Sequence, residues 1–492
     1  MERLKMLGVA LATLLSWSSL AHAQTWTPLK HPAPFYANTA LLLTDGTVMV
    51  QDAETPHWWR LTPDTTGSYV NGTWTKLASM ASNYGPLYHA SAVLPDGRVI
   101  IEGGEYNLTG DAVWTRRGSI YDPTTNTWTP VSPPAGWSNI GDAQSVVLAN
   151  GTFMLANCCT TQQALLDATT LTWTPTGTGK FDSNDEEGWT LLHGGTVLAV
   201  DAYADSYLAT GTASEIYTPS TGAWSSAGST VVQLWDSAAD CGGSGVASYE
   251  LGPAVLRPNG TVFATGANTC GAGHTAIYKA STNTWTAGPD IPQGNDIADG
   301  PAALLPNGNV LVDTSPGIFQ TGTNFYEFNG TMFHQVPGPP NSLSDSSYYG
   351  SMLVLPTGQI LFTDQSSDVE IYTAKGTYKP EWAPTIVTAP STVVRGSSYK
   401  ITGTQFNGLS QGAAYGDDAQ SATNYPLVRI TNNATGHVFY ARTHNHSTMG
   451  VATKAKIVST HFKVPSGMEA GPSSLVVVAN GIPSAPVAIM VD

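Results

Sequence analysis

Tyr88-His89-Ala90-Ser91-Ala92-Val93-Leu94-Pro95-Asp96-Gly97-Arg98-Val99-Ile100-Ile101-Glu102-Gly103-Gly104 reads as a strand, a tight turn, a second strand and a glycine stop. Asp-Gly between two apolar runs is a strong short hairpin signal, because glycine takes the positive φ of the turn without a clash. The unit recurs. Asp45-Gly46, Asn150-Gly151, Gly194-Gly195, Asn259-Gly260, Asn307-Gly308 and Thr357-Gly358 each follow one apolar run and precede another. Successive turn glycines are 51, 54, 44, 65, 48 and 50 residues apart.

A period near 50 with this pattern is that of kelch repeats. Most units continue with an aromatic strand such as Ile120-Tyr121, Ile216-Tyr217 or Ile277-Tyr278, then a strand carrying Trp128, Trp224 or Trp285. Phe333 and Tyr378 stand in for that tryptophan in the last two units. Each unit has material for four strands, and such sheets bury their faces only by packing radially on one another. The expectation is an all-β chain: a seven-bladed kelch-type β-propeller over residues 24–382. Thr25-Trp26-Thr27-Pro28 resembles the last strand of a unit and competes with Tyr378 to close the ring. After Pro380-Glu381-Trp382-Ala383-Pro384 the pattern changes to β runs such as Leu427-Val428-Arg429-Ile430 and Leu475-Val476-Val477-Val478. Residues 384–492 read as an immunoglobulin-like β-sandwich.

Residues 1–23 have the layout of a secretory signal peptide. Arg3 and Lys5 precede an apolar run too short to span a bilayer, and Ala21-His22-Ala23 fits a cleavage site. The expectation is a secreted or periplasmic protein with no membrane span. The formal net charge of -16 argues against nucleic acid or an anionic membrane as partner, since both are polyanions. Of the four cysteines, Cys241 and Cys270 are expected to pair, leaving Cys158 and Cys159 as a vicinal bridge or two buried thiols. No phosphate loop, nucleophile elbow or HExxH motif is present.

The repeats, the domain order, Tyr425-Pro426-Leu427-Val428-Arg429 and Thr443-His444 together resemble the galactose oxidase and glyoxal oxidase family of copper radical oxidases. The resemblance implies copper at the propeller axis, with a loop of the last domain placing His444, or its neighbour His446, on the metal. It implies that Tyr88 is the axial-site tyrosine of an early blade, that Tyr348 and Tyr349 fall at the family's axial tyrosine and second histidine, and that Tyr106 stacks over the radical. Two positions depart from the family. Tyr349 stands where a copper histidine is expected, and no cysteine lies near Phe35–Asn38 to cross-link Tyr88.

Counting nine residues back from each turn glycine gives Ala37, Tyr88, Asp142, Glu186, Leu251, Asp299 and Tyr349. In a propeller these positions converge on the axis. The carboxylates Asp142, Glu186 and Asp299 would then share one mouth with phenols. Such a set suits a hard divalent cation through oxygen, or a general acid and base with split pKa values. Asp142 and Asp299 as plain backbone acceptors, and Glu186 as part of a solvated acidic loop, are the structural alternatives. Three functions stay open: an oxidase-like enzyme on extracellular alcohols, aldehydes or glycans; a metal-assisted or acid–base lyase or hydrolase; and a glycan-binding propeller without turnover.

Overall fold

The computed structural model describes residues 24–108, 110, 112–202, 211–236, 249–268, 271–416 and 421–492. The signal-peptide stretch and the proposed Cys241–Cys270 pair fall outside them. In the quoted hairpin, Ala90–Val93 pairs antiparallel with Val99–Glu102, Ala90 facing Glu102 and Val93 facing Val99. The reversal is longer than a two-residue turn. Leu94 N–H donates to Arg98 O and Gly97 N–H to Leu94 O, both at 2.8 Å, and Gly97 has φ 87°. This is a type I turn closed by a glycine bulge. Asp96 contributes a side-chain clasp, its Oδ1 accepting Arg98 N–H at 2.9 Å. The glycine of the other six hairpins makes the equivalent bond, to Leu43, Leu148, Leu192, Arg257, Leu305 and Leu355, at 2.7–3.0 Å.

Each hairpin is the inner half of a four-stranded antiparallel sheet, and the described residues form seven such blades. The first runs outward from Ala37–Leu42 to Thr73–Lys76, and the second from Ala90–Val93 to Thr127–Val131. The repeated aromatics pack the blades. Tyr121, Tyr217 and Tyr278 are fully buried, with ring centroids 5.0–5.4 Å from Trp128, Trp224 and Trp285. Burying each such ring is worth about 1.5–3 kcal/mol. Ring closure is settled in favour of the N-terminal strand. Thr25–Pro28 is the outermost strand of the seventh blade, Trp26 opposite Tyr372. Tyr378 instead lines a 530 Å³ cavity with Arg429 and Pro483.

The strands of the tail run from Thr385–Thr388 to Val487–Val491 and wrap one core that includes Phe406, Val428, Phe462, Leu475 and Val477. Val438–His444 turns the corner of this wrap. Its first residues pair with Leu427–Asn432 and its last three with Val458–Lys463. One short strand leaves the tail altogether: Ala413–Ala414 adds to the inner edge of the sixth blade, opposite Ala302 and Ala303.

Candidate functional site at the propeller axis

The inner strands start at one face, here the upper face, and their glycine turns lie at the lower. The residues just ahead of the strands carry the unusual geometry. Tyr88, Glu186, Tyr249 and Asp299 all have left-handed φ, between 48° and 64°. Non-glycine residues hold that conformation at a cost, and such strain concentrates at functional sites. The repeat thus bends the chain inward at equivalent points of four blades.

These bends bring acids together. One carboxylate oxygen from each of Glu186, Glu250 and Asp299 lies within 4.8 Å of the others. Counting from the glycines gave Leu251 for the fifth blade, one residue off. A register shift between Leu251 and Ala254 adds chain to that strand and moves the inward position to Glu250. Glu250 is half-buried, and desolvation of its carboxyl raises its pKa. Hydrogen bonds with Glu186 and Asp299 oppose the shift, and the charges of Asp185 and Asp236 add to it. Glu105 is pushed up to about 7, chiefly by burial and then by the charge of Glu250. It is hydrogen-bonded to Tyr106, whose own pKa is raised by burial and by the charges of Glu105 and Asp142.

A finger of the tail domain does enter the axis, and it is not the histidine loop. The Gln411 side chain accepts Leu191 N–H at 2.7 Å, and Gly412 O accepts Leu304 N–H at 2.7 Å. Ser421 Oγ donates to Ala40 O at 3.1 Å. At the tip, Tyr415 stacks on Tyr88 with centroids 6.2 Å apart and donates its hydroxyl to Tyr348 O at 2.7 Å. Gly416 fits against the acids, where a Cβ would stand 2.2 Å from Asp299 Oδ1. Tyr88 also receives Gln365 Nε2 on its hydroxyl at 3.2 Å and lies edge-on to Tyr106 at 6.1 Å. Tyr348 and Tyr349 sit together on a short 3-10 turn, centroids 4.1 Å apart, and burial followed by the Tyr349 hydrogen bond raises the Tyr348 pKa. Tyr88, Tyr106, Tyr348 and Tyr349 therefore gather at the mouth that Glu186, Asp299 and Asp142 also face.

His444 and His446 do not. Strand Val438–His444 docks on the lower face: Thr443 N–H donates to Thr44 O at 3.1 Å, Arg442 to Asp96 O at 3.2 Å, and His446 N–H to Pro95 O at 3.2 Å. Those partners are hairpin-turn residues, and Tyr88 is at the opposite end of the same hairpin, about 20 Å away at strand rise. His446 is buried, its Nδ1 bonded to Thr460 Oγ1 at 2.9 Å, and burial holds its pKa down at about 3. His444 is also lowered, by burial and then Arg442 and His461. A metal shared by Tyr88, Asp142 and these histidines is thus geometrically closed. The sequence misled because a polar Thr-His-Asn-His segment between strands looks alike whether it reaches the axis or caps the lower rim. Tyr415 and Glu250 were missed; Tyr415 lacked any ionic signal, and Glu250 was hidden by the bulge.

The turn that carries Glu186 is braced from two sides. Lys180 is fully buried, and its Nζ binds Asp182, Glu187 at 2.7 Å, Glu215 at 2.6 Å and Asp201 at 3.5 Å. On the other side Cys158 and Cys159 form a vicinal disulfide, with Asp185 Oδ1 3.5 Å from both sulfurs. Asn184 is held by Gln144 and Gln163 and donates to Thr160 O at 2.6 Å.

No protein-family model matches the chain. It is 32% identical over 81 residues to the Kelch-like protein terF of Aspergillus terreus (strain NIH 2624 / FGSC A1156), a match covering 16% of this chain and 17% of that protein. Among solved structures it is similar to a fungal alcohol oxidase of the AA5 family in complex with copper, at TM-score 0.51 and 14% identity, covering 96% of this chain and all of that one. It is also similar to virginiamycin B lyase from Staphylococcus aureus, at TM-score 0.48 and 8% identity, over 72% of this chain and all of that one. At such identity the oxidase likeness carries the fold, a propeller with a following β domain, and leaves the chemistry to the residues.

Proposed function

We propose that this chain is an exported enzyme that works by acid–base chemistry, with or without a hard cation, at the upper mouth of the propeller, on an extracellular carbohydrate-type substrate. The observation that carries the reading is the Glu186–Glu250–Asp299 triad, set among Tyr88, Tyr106, Tyr348, Tyr349 and Tyr415. Three carboxyl groups this close cannot all ionise, so their pKa values split. Glu250, whose pKa is pushed up by burial, takes the part of the general acid. Glu186 or Asp299 in its ionised form is the base. The phenols orient substrate hydroxyls, and Asp142 and Glu105 tune the field around Tyr106.

Copper fits this donor set poorly. Copper(II) favours imidazole, and the triad and its phenols supply none, while His57 is bonded to Ser79, His89 to Gln51 and His446 to Thr460. No segment outside the described residues, beyond residue 23, contains a histidine. Oxygen donors from the triad suit a hard cation such as calcium or magnesium. The oxidase reading of the fold therefore yields to a lyase or hydrolase reading. The test is a glycan panel with products read by mass spectrometry, on wild type, E250Q, E186Q and D299N. Loss of about 10²–10⁴-fold in turnover at unchanged melting temperature is expected. Turnover that survives all three changes would defeat the assignment, as would peroxide release dependent on added copper.

A further inference from the structure

Beside the mouth the upper face opens into a cavity of 570 Å³, lined by Tyr84, Trp114, Arg116, Arg117, Ser132 and Ser138 among others. Its wall is a fixed segment. Val113 and Trp114 N–H donate to Glu105 O at 2.8 and 3.0 Å, Thr115 N–H to Gly104 O at 3.0 Å, and Arg117 O accepts Gly103 N–H at 2.8 Å. Glu105 belongs to the axial group, so mouth and cavity share a wall.

The charge of this cavity is opposite to that of the chain. The protein has 36 acidic residues against 20 Lys and Arg. Among the described residues, the cavity lining holds two guanidinium groups and no carboxylate. Both arginines are exposed, and neither forms an ion pair among the described residues. Arg116 Nη1 donates to Trp137 O at 3.4 Å, a neutral partner. Glu102, opposite Gly118 in the sheet, does not neutralise them. It is fully buried with its carboxyl packed against Gly118, where a Cβ would lie 2.0 Å from Oε2, it pairs with neither arginine among the described residues, and burial pushes its pKa well above the usual carboxylate range. Trp114 presents an apolar surface that is 46% exposed beside the guanidinium groups.

We propose that this cavity binds the carboxylate or sulfate group of an acidic sugar, with Arg116 and Arg117 as the oxyanion fork and Trp114 as the surface for the ring. Guanidinium matches planar oxyanions with paired, charge-assisted hydrogen bonds, and an indole face is the natural partner of a sugar ring beside it. The subsite stands on its own cavity; only the idea that the same glycan continues over the mouth rests on the function proposed above.

The test is calorimetric titration of the full chain with a galacturonate trisaccharide, a sulfated disaccharide and a neutral cellotriose. The acidic probes bind, and bind more weakly as salt is raised. R116A/R117A weakens them about tenfold or more, the loss of one or two hydrogen bonds to a charged group. R116K/R117K, which keeps charge without the fork, recovers part of the affinity. Preference for the uronate or for the sulfate identifies which oxyanion the site takes, and either supports it. Equal affinity of wild type and R116A/R117A, or no binding of either acidic probe at low salt, overturns the subsite. E250Q separates the two claims: it stops turnover if the axial assignment holds, while acidic-probe binding stays.

Discussion

Replacing Lys180 by methionine should be among the most damaging single changes in the propeller. The ammonium is fully buried and contacts four carboxylates, Asp182, Glu187, Asp201 and Glu215. Methionine keeps the aliphatic volume and removes only the charge. What remains is a set of buried acids facing one another, and loss of one partner of a buried ionic cluster costs about 3–5 kcal/mol. At about 2 °C per kcal/mol for a domain of this size the melting point should fall by roughly 6–10 °C. The penalty should also depend on pH. Burial raises the pKa of Glu187 and Asp201 well above the carboxylate range even with Lys180 present. Without it they rise further, so the folded state binds more protons than the unfolded one. Stability is then retained at low pH and lost as pH rises through the raised folded values. Calorimetry of wild type and K180M at pH 5 and pH 8 reads this directly, with the larger gap expected at pH 8. A drop below about 2 °C, or a gap independent of pH, would refute the charge-cage account. Because Glu187 adjoins Glu186, K180M should also reduce axial turnover.

Two further outcomes follow from the same structure. Trp26 packs on Phe325, Phe362 and Tyr372 at 4.9–5.5 Å and donates Nε1–H to Pro337 O at 2.6 Å, so W26A should cost about 2–4 kcal/mol and expose the first strand to protease; denaturant melts and a proteolysis time course check it, and an unchanged midpoint would count against closure by this strand. His446 has its folded pKa lowered to about 3, so its contribution to stability is complete above the ordinary histidine pKa and is lost as pH falls below that pKa toward about 3; H446Q should flatten the acid limb of the stability profile, and an identical limb in both proteins would show that another group sets it.

The glycine-marked hairpins made the seven blades readable, because a turn chemistry that needs positive φ leaves its residues in place at a fixed period. The axial mouth was readable in part for the same reason: Tyr88, Glu186 and Asp299 stand at one offset from those glycines. The offset failed at Glu250, where a bulge changes the count, since bulges leave no mark in a strand of small and apolar residues. The inserted finger was legible as an idea and wrong in its address. Ala413-Ala414-Tyr415-Gly416 is a plain apolar stretch whose pairing partner, the inner edge of the sixth blade, lies more than a hundred residues away. His444 carried the louder chemical signal, and its place on the lower rim is fixed by backbone bonds to Thr44 and Pro95 that its own neighbours do not announce.

The stretch that plugs the bore, residues 410–416, is translated after all seven blades. Since domains are synthesised and fold from the N-terminus onward, the ring forms first as a hollow annulus that lacks its stopper. Only when the tail emerges and threads Tyr415 into place does the surface opposite Tyr88 exist. Maturation of the mouth is thereby coupled to completion of the polypeptide: a molecule clipped between ring and tail would be an intact annulus with a breached, unfinished pocket, and would be silent rather than promiscuous.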